Sequence, residues 1–212
     1  DDAPMNQGTT TSGRLVVACA ANGRYVLPMA VMLRSLAANL SPHCQVEAHA
    51  VDDGVDPADK EKVLASLNDR VSLHWTPARR SALAGMPIWG RMAMTTYQKL
   101  SLAEWLPAGT EKALWLDCDL LALGDVARLW NSDLGDHGVL AVPDPRVPLV
   151  SSRFGVAGYR ELGLAADARY FNAGVLLIDV ARWRADDVAG RAISYLRDYR
   201  DKVFFWDQEG LN

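Results

Sequence analysis

Lys112-Ala-Leu-Trp-Leu-Asp117-Cys-Asp119-Leu-Leu121 sets two carboxylates directly after a short apolar run. Such a run reads as a buried strand, and the carboxyl ends of strands are where open α/β sheets bind ligands. Residues two apart in extended backbone point the same way, so Asp117 and Asp119 can reach one hard divalent cation together. A cation of that kind usually serves a phosphate. With 20 aspartates in 212 residues, a shuffled chain would hold about two Asp-x-Asp triplets, and this chain holds one. The triplet is informative only through its place at a strand end. The alternative is a pair of aspartates capping the turn or helix that follows.

Outward from that stretch, composition sets the frame. Half of the 212 residues are apolar, enough for one domain with a full core. Cys19, Cys44 and Cys118 are odd in number and lack metal-ligand spacing, which implies free thiols in a reducing compartment and no zinc site. A net charge of −4 argues against a nucleic-acid or anionic-membrane binder, because either needs a concentrated basic surface. Residues 1–13 are polar, with no apolar segment, and read as a disordered leader rather than a signal peptide or a spanning helix.

From Arg14 the pattern is regular. Leu15 to Ala20 reads as a strand, Asn22-Gly23 as a turn and Tyr25 to Leu40 as a helix, with Pro28 tolerated in its first turn. Val26, Ala30, Leu33, Ala37 and Leu40 recur at helical spacing and predict one core-facing stripe. Val46 to Val51 is a second strand. Asp56-Pro57 opens a helix to Leu67, and Arg70 to Trp75 is a third strand. Residues 76–90 are broken by Pro and Gly into a long loop, and Thr95 or Thr96 opens a helix to Leu106. After the Asp117 strand, Asp125 caps a short helix through Trp130, Gly138 to Val142 and Gly174 to Ile178 are strands, and Asp186 or Asp187 starts the last long helix. Alternating strands and helices predict an α/β domain over 14–212, its mostly parallel twisted sheet flanked by helices on both faces.

Five motifs, in order, carry a resemblance: Cys19-Ala-Ala-Asn22-Gly-Arg-Tyr25, Thr95-Thr-Tyr97-Gln-Lys99-Leu, Leu114-Trp-Leu-Asp117-Cys-Asp119, Tyr170-Phe-Asn172-Ala-Gly174, and Asp207-Gln208-Glu209-Gly-Leu-Asn212. With them the chain resembles family 8 of the glycosyltransferases, which includes bacterial lipopolysaccharide galactosyl- and glucosyltransferases and glycogenin. The resemblance implies a GT-A nucleotide-sugar-binding fold. It also implies a Mn²⁺ ion, with Mg²⁺ as the alternative, and transfer of galactose or glucose from a UDP-sugar to a saccharide or lipooligosaccharide acceptor with retention at the anomeric carbon. A cytoplasmic location follows, peripheral at the inner membrane face through a C-terminal tail.

Residue by residue, the resemblance places Ala20, Asn22, Tyr25, Lys99, Asp117, Cys118 and Asp119 at the donor, with Asp117 and Asp119 as metal ligands. Asn172 contacts a sugar near the reacting centre, Asp144 hydrogen-bonds sugar hydroxyls, and Gln208 lies on the sugar face opposite the leaving group. An amide oxygen is a poor nucleophile, which favours electrostatic stabilisation with front-face attack. For Lys99 the alternative is a solvated helix lysine, and for Asn172 a turn asparagine.

Three positions depart from the family. Asn22-Gly23 stands where many members carry aspartate, although an asparagine carbonyl can accept the same hydrogen bond from a uracil imide. Glu209-Gly210 is unusual. The family's third metal ligand is a C-terminal histidine beyond Asn212, so the domain is expected to lack its C-terminal end. His43, His49, His74 and His137 do not match that histidine by position and read as surface or structural residues. Two other classes stay open: a non-catalytic nucleotide-sugar-binding relative, and a haloacid-dehalogenase-like phosphatase, whose Asp-x-Asp normally lies on the first strand.

Overall fold

A computed structural model describes residues 13–81, 83–86, 88 and 93–212. Among these the elements alternate as expected: β1 (Gly13–Ala21), α1 (Val26–Asn39), β2 (Cys44–Asp52), α2 (Pro57–Ser66) and β3 (Val71–Pro77). A 3₁₀ turn (Met94–Lys99) and α3 (Leu102–Trp105) lead into β4 (Lys112–Leu116), α4 (Ala127–Trp130) and β5 (Val139–Pro143). The chain closes through β6 (Phe171–Asp179), α5 (Val180–Ala185), α6 (Val188–Asp198) and α7 (Trp206–Leu211). Gly13 already belongs to β1, and the rest of the expected leader lies outside the described residues.

Local signals explain most boundaries. The five residues of the α1 stripe are all buried, joined by Met29, Met32 and Leu36. Asp56 caps α2 by accepting from the Ala58 N–H, and Asp187, not Asp186, caps α6 through the Gly190 N–H. The single helix expected from Thr95 to Leu106 is instead the 3₁₀ turn followed by the four-residue α3. Its side chains explain the break: Tyr97, Leu100 and Leu102 are fully buried together with Gln98, Lys99 and Ser101, so tertiary packing outweighs helix propensity.

The six strands lie in the order β3-β2-β1-β4-β6-β5. β1 pairs in parallel with β2 and β4, and β2 with β3, while β6 is antiparallel to both of its neighbours. One apolar cluster packs α1, α2 and α4 on one face through Leu15, Val17, Val46 and Leu114. The other packs α3 and α5 on the opposite face through Ala18, Trp115, Leu176 and Trp183. Helices on both faces leave the strand ends as the open surface.

β6 starts earlier than its apolar run suggested, so Asn172 lies inside the strand. Its pairing with β5 slips: Ala141 faces Leu176, but Val142 faces Asn172. The slip leaves residues 173–175 without a partner on β5, a bulge beside the carboxyl end of β4. The Ala173 backbone groups are thereby free to face the cleft.

Candidate functional site

Asp117 follows β4 directly, and its N–H donates to the Gly174 carbonyl at 2.9 Å, which ties the Asp-x-Asp stretch to the bulge. Its Oδ1 accepts from the Trp115 indole at 2.8 Å and from Lys99 Nζ at 3.2 Å. Oδ2 faces Gly174, where a Cβ would come within 3.1 Å of it and of Asn172 Oδ1. Gly174 therefore keeps that oxygen uncovered. Asp119 is exposed at the mouth.

Lys99 is 2% exposed, not a solvated helix lysine. Its ammonium donates to Asp207 Oδ2 at 2.7 Å, to Asp117 and to the Ala173 carbonyl at 2.9 Å. Burial alone would push its pKa down, but the Asp207 and Asp117 carboxylates outweigh that and leave it above the ordinary 10.5. Asp207 also accepts from the Thr96 hydroxyl at 2.7 Å.

A second polar cluster adjoins the first. Asp144, just past β5, accepts at Oδ2 from Gln208 Nε2 at 3.1 Å and from Asn172 Nδ2 at 3.4 Å. Its Oδ1 accepts from the Arg146 and Val147 N–H groups. Burial pushes the Asp144 carboxyl up, but these four donors prevail and hold it below its ordinary range. The other end of the Gln208 amide accepts from the Ala173 N–H at 3.1 Å, so both its polar atoms are fixed.

Two hollows of about 170 Å³ each run along these residues. The first is lined by Ala20, Asn22, Tyr25, Trp115, Cys118 and Asp119, the second by Lys99, Asn172, Gly174, Asp207 and Gln208, and both include Thr96 and Asp117. Tyr25, 43% exposed, lines the first. Cys118 is buried, its thiol donating to the Ala20 carbonyl. Every residue singled out in the sequence thus lies on this surface except Asp144, which joins it through Asn172 and Gln208. A larger hollow of about 360 Å³, lined by residues of β5, β6, α5, α6 and α7, is mainly apolar in lining and contains none of them.

Sequence reasoning missed Thr95, Thr96 and Asp207 as site groups, although all three stand inside two of the five motifs and line the hollows. The unusual Glu209 is structural. Its buried carboxylate accepts from the Ala157, Phe204 and Phe205 N–H groups and from the Tyr195 hydroxyl. That grip holds the turn into α7, where Trp206 takes a left-handed φ of 43°, and so positions Asp207 and Gln208. His43 and His137 are exposed, and His49 stacks on His74 beside Glu47 at the β2–β3 edge. None of the four lines either hollow.

Metal-binding fit rests on Asp117 and Asp119, two hard oxygen donors beside an uncovered carboxylate oxygen. Among the described residues no cluster of three or more His, Cys, Asp or Glu could hold an ion. The described residues thus offer a cation two carboxylates, Asp117 and Asp119.

Fold and site together define an α/β protein with helices on both faces of its sheet and polar groups gathered at the strand ends. The sequence profile of glycosyl transferase family 8 matches residues 16–212, and the chain belongs to that family. It is 23% identical over 205 residues to general stress protein A of Bacillus subtilis, covering 93% of this chain and 67% of that protein. It is 31% identical over 138 residues to the lipopolysaccharide glucosyltransferase WaaO of Escherichia coli, covering 61% of this chain and 38% of that one. The structure superposes on galactosyltransferase LgtC, solved with donor and acceptor sugar analogs, with a TM-score of 0.81 and 30% identity. That match covers 93% of this chain and 69% of LgtC, and the fold is GT-A. Family membership sets aside the phosphatase alternative, as does the position of Asp-x-Asp after β4 rather than on the first strand. No helix among the described residues is long and apolar enough to cross a membrane.

Proposed function

We propose that this domain transfers galactose or glucose from a UDP-sugar to a saccharide or lipooligosaccharide acceptor, with retention, at the cytoplasmic face of the inner membrane. The observation that carries this reading is the meeting of two unlike polar clusters at Asp117. On one side are carboxylates suited to a cation and diphosphate. On the other are amides and carboxylates suited to sugar hydroxyls.

Asp117 and Asp119 would hold Mn²⁺ or Mg²⁺, which supplies the charge neutralisation that makes a nucleoside diphosphate a competent leaving group. Lys99, fixed against Asp117 and Asp207, adds positive charge where the departing diphosphate gathers negative charge. Asn22 and Tyr25 receive the nucleoside. Asp144 and Asn172 orient sugar hydroxyls by charge-assisted and neutral hydrogen bonds. Gln208, clamped at both ends of its amide, stabilises an oxocarbenium-like centre without reorganising, which suits front-face attack better than a covalent adduct.

Calorimetry with UDP, with and without Mn²⁺, tests the binding half of the reading, and release of UDP from UDP-galactose and UDP-glucose in the presence of acceptor tests the chemistry. UDP should bind more tightly with Mn²⁺. Binding of UDP to neither form would overturn the reading, while Mn²⁺-dependent binding without transfer or donor hydrolysis would favour a non-catalytic nucleotide-sugar binder.

A further inference from the structure

One end of the first hollow is closed by a hydrogen-bond relay whose direction is set from its far end. Arg80 Nε donates to Asp53 Oδ1 at 2.8 Å, and the other Asp53 oxygen accepts the Thr95 hydroxyl at 2.5 Å. A carboxylate accepts only, so the single Thr95 proton is committed to Asp53. Thr95 Oγ1 can then act toward Asn22 only as an acceptor, and it receives the Asn22 Nδ2 at 3.2 Å. The amide nitrogen of Asn22 is held on that side, which places its carbonyl oxygen on the other. There the oxygen accepts from the Arg24 N–H at 3.0 Å and keeps a second lone pair.

Reversing the amide is opposed at both ends. Its oxygen would face Thr95 Oγ1 with no proton between them, and its NH₂ would face the Arg24 N–H. Thr95 is 8% exposed and the Asp53 side chain 8%, so water cannot readily repair the contact at Thr95, whereas the contact with the Arg24 N–H is exposed and adds less to the lock.

We infer that Asp53 and Thr95 are positioning residues that fix Asn22 as a hydrogen-bond acceptor and thereby make the hollow select uridine over cytidine nucleotides. The inference rests on the nucleotide-sugar reading of this hollow. Uracil presents an imide N–H at the ring edge where cytosine presents a bare ring nitrogen and an amino group. The two bases share the 2-carbonyl and stack equally on Tyr25, so discrimination falls on whether the protein group at that edge accepts or donates. An asparagine left free to rotate would serve either base. One locked by a carboxylate through a hydroxyl serves uracil.

The position also explains why a carboxylate lies at residue 53. Asp53→Asn would turn its oxygen toward Arg80 and its NH₂ toward Thr95, reverse the relay and release the Thr95 proton toward Asn22. The Asn22 amide would then be drawn to present its NH₂ to the base, at the expense of its contact with the Arg24 N–H. Thr95→Val removes the relay, and Thr95→Ser keeps it.

The test is the ratio of Kd for CDP to Kd for UDP, measured by calorimetry at saturating Mn²⁺ in the 212-residue chain and the three variants. Wild type should prefer UDP by roughly 10- to 100-fold, as expected where the wrong ligand leaves buried polar groups unpaired. Asp53→Asn and Thr95→Val should each reduce that ratio at least about fivefold, while Thr95→Ser retains it. Each ratio is taken within one variant, so a loss of stability weakens both nucleotides and leaves it unmoved, and either of the two disruptive variants decides if the other fails to fold. A ratio unchanged in both, or a wild type that does not discriminate, overturns the relay and leaves the donor reading intact. A wild type that binds neither nucleotide overturns both.

Discussion

Replacing Lys99 with Met keeps the length and apolar stem of the side chain and removes its charge. The ammonium lies 2.7 Å from Asp207 and 3.2 Å from Asp117 and is 2% exposed, so its loss strands one carboxylate and loosens another. Asp207, 4% exposed, keeps only the Thr96 hydroxyl among these contacts, while Asp117 keeps the Trp115 indole. Breaking a buried pair from one side costs about 3–5 kcal/mol because the remaining charge is uncompensated. For a chain of this size that lowers Tm by roughly 6–20 °C. Adding Asp207→Asn should restore more than half of the loss, since an amide does not need a counter-charge. Lys99→Arg should fall between, because a planar guanidinium does not fit three acceptors arranged around one ammonium, although charge alone would suggest tolerance. The sign of the pH dependence follows from the raised pKa. The contribution of Lys99 is complete below its ordinary 10.5 and is lost as pH rises through the higher folded value, so the wild-type and Lys99→Met melts should converge on the alkaline side. Thermal denaturation followed by circular dichroism measures all four chains. A Tm for Lys99→Met within about 2 °C of wild type, or a double variant no more stable than the single one, would refute the buried-charge argument.

Asp117→Asn and Asp119→Asn should each weaken Mn²⁺-dependent UDP binding at least about tenfold with little change in melting, and calorimetry showing full affinity in both would remove their metal role. Gln208→Ala should lower transfer by roughly 10- to 100-fold, the size of an electrostatic effect, whereas a trapped glycosyl adduct on wild-type Gln208 would make it a nucleophile. Gly174→Ala brings a methyl to 3.1 Å from both Asp117 Oδ2 and Asn172 Oδ1, so calorimetry should show Mn²⁺-dependent UDP binding weakened several-fold with little change in Tm. Asp144, held below its ordinary 3.8, contributes stability above that pH and loses it as pH falls through the lower folded value. The difference in stability between wild type and Asp144→Asn should therefore be flat from pH 5 to 8 and shrink only in strong acid, as acid denaturation curves would show.

The β-α order, the α1 stripe, the Asp56 cap and the place of Asp117 at a strand end were all legible in the sequence, because each depends on spacings of two to four residues. The motifs carried the family and gathered the residues that line the cleft. What surrounds those residues was not legible. Lys99 kept the alternative of a solvated lysine until the fold enclosed it between Asp117 and Asp207. Glu209 read as an oddity until its carboxylate was found gripping the turn into α7.

Tertiary structure alone decided how distant polar groups pair. Thr96 meets Asp207 across 111 residues, Asn22 meets Thr95 across 73 and Thr95 meets Asp53 across 42. It also decided the antiparallel β6 and the bulge that turns the Ala173 backbone toward Lys99 and Gln208. The physical reason is the range of the forces that write a sequence pattern. Apolar periodicity and capping are satisfied within a few residues and leave a local mark. A buried charge or hydroxyl needs only some partner at about 3 Å, and chain topology supplies that partner from any distance along the sequence.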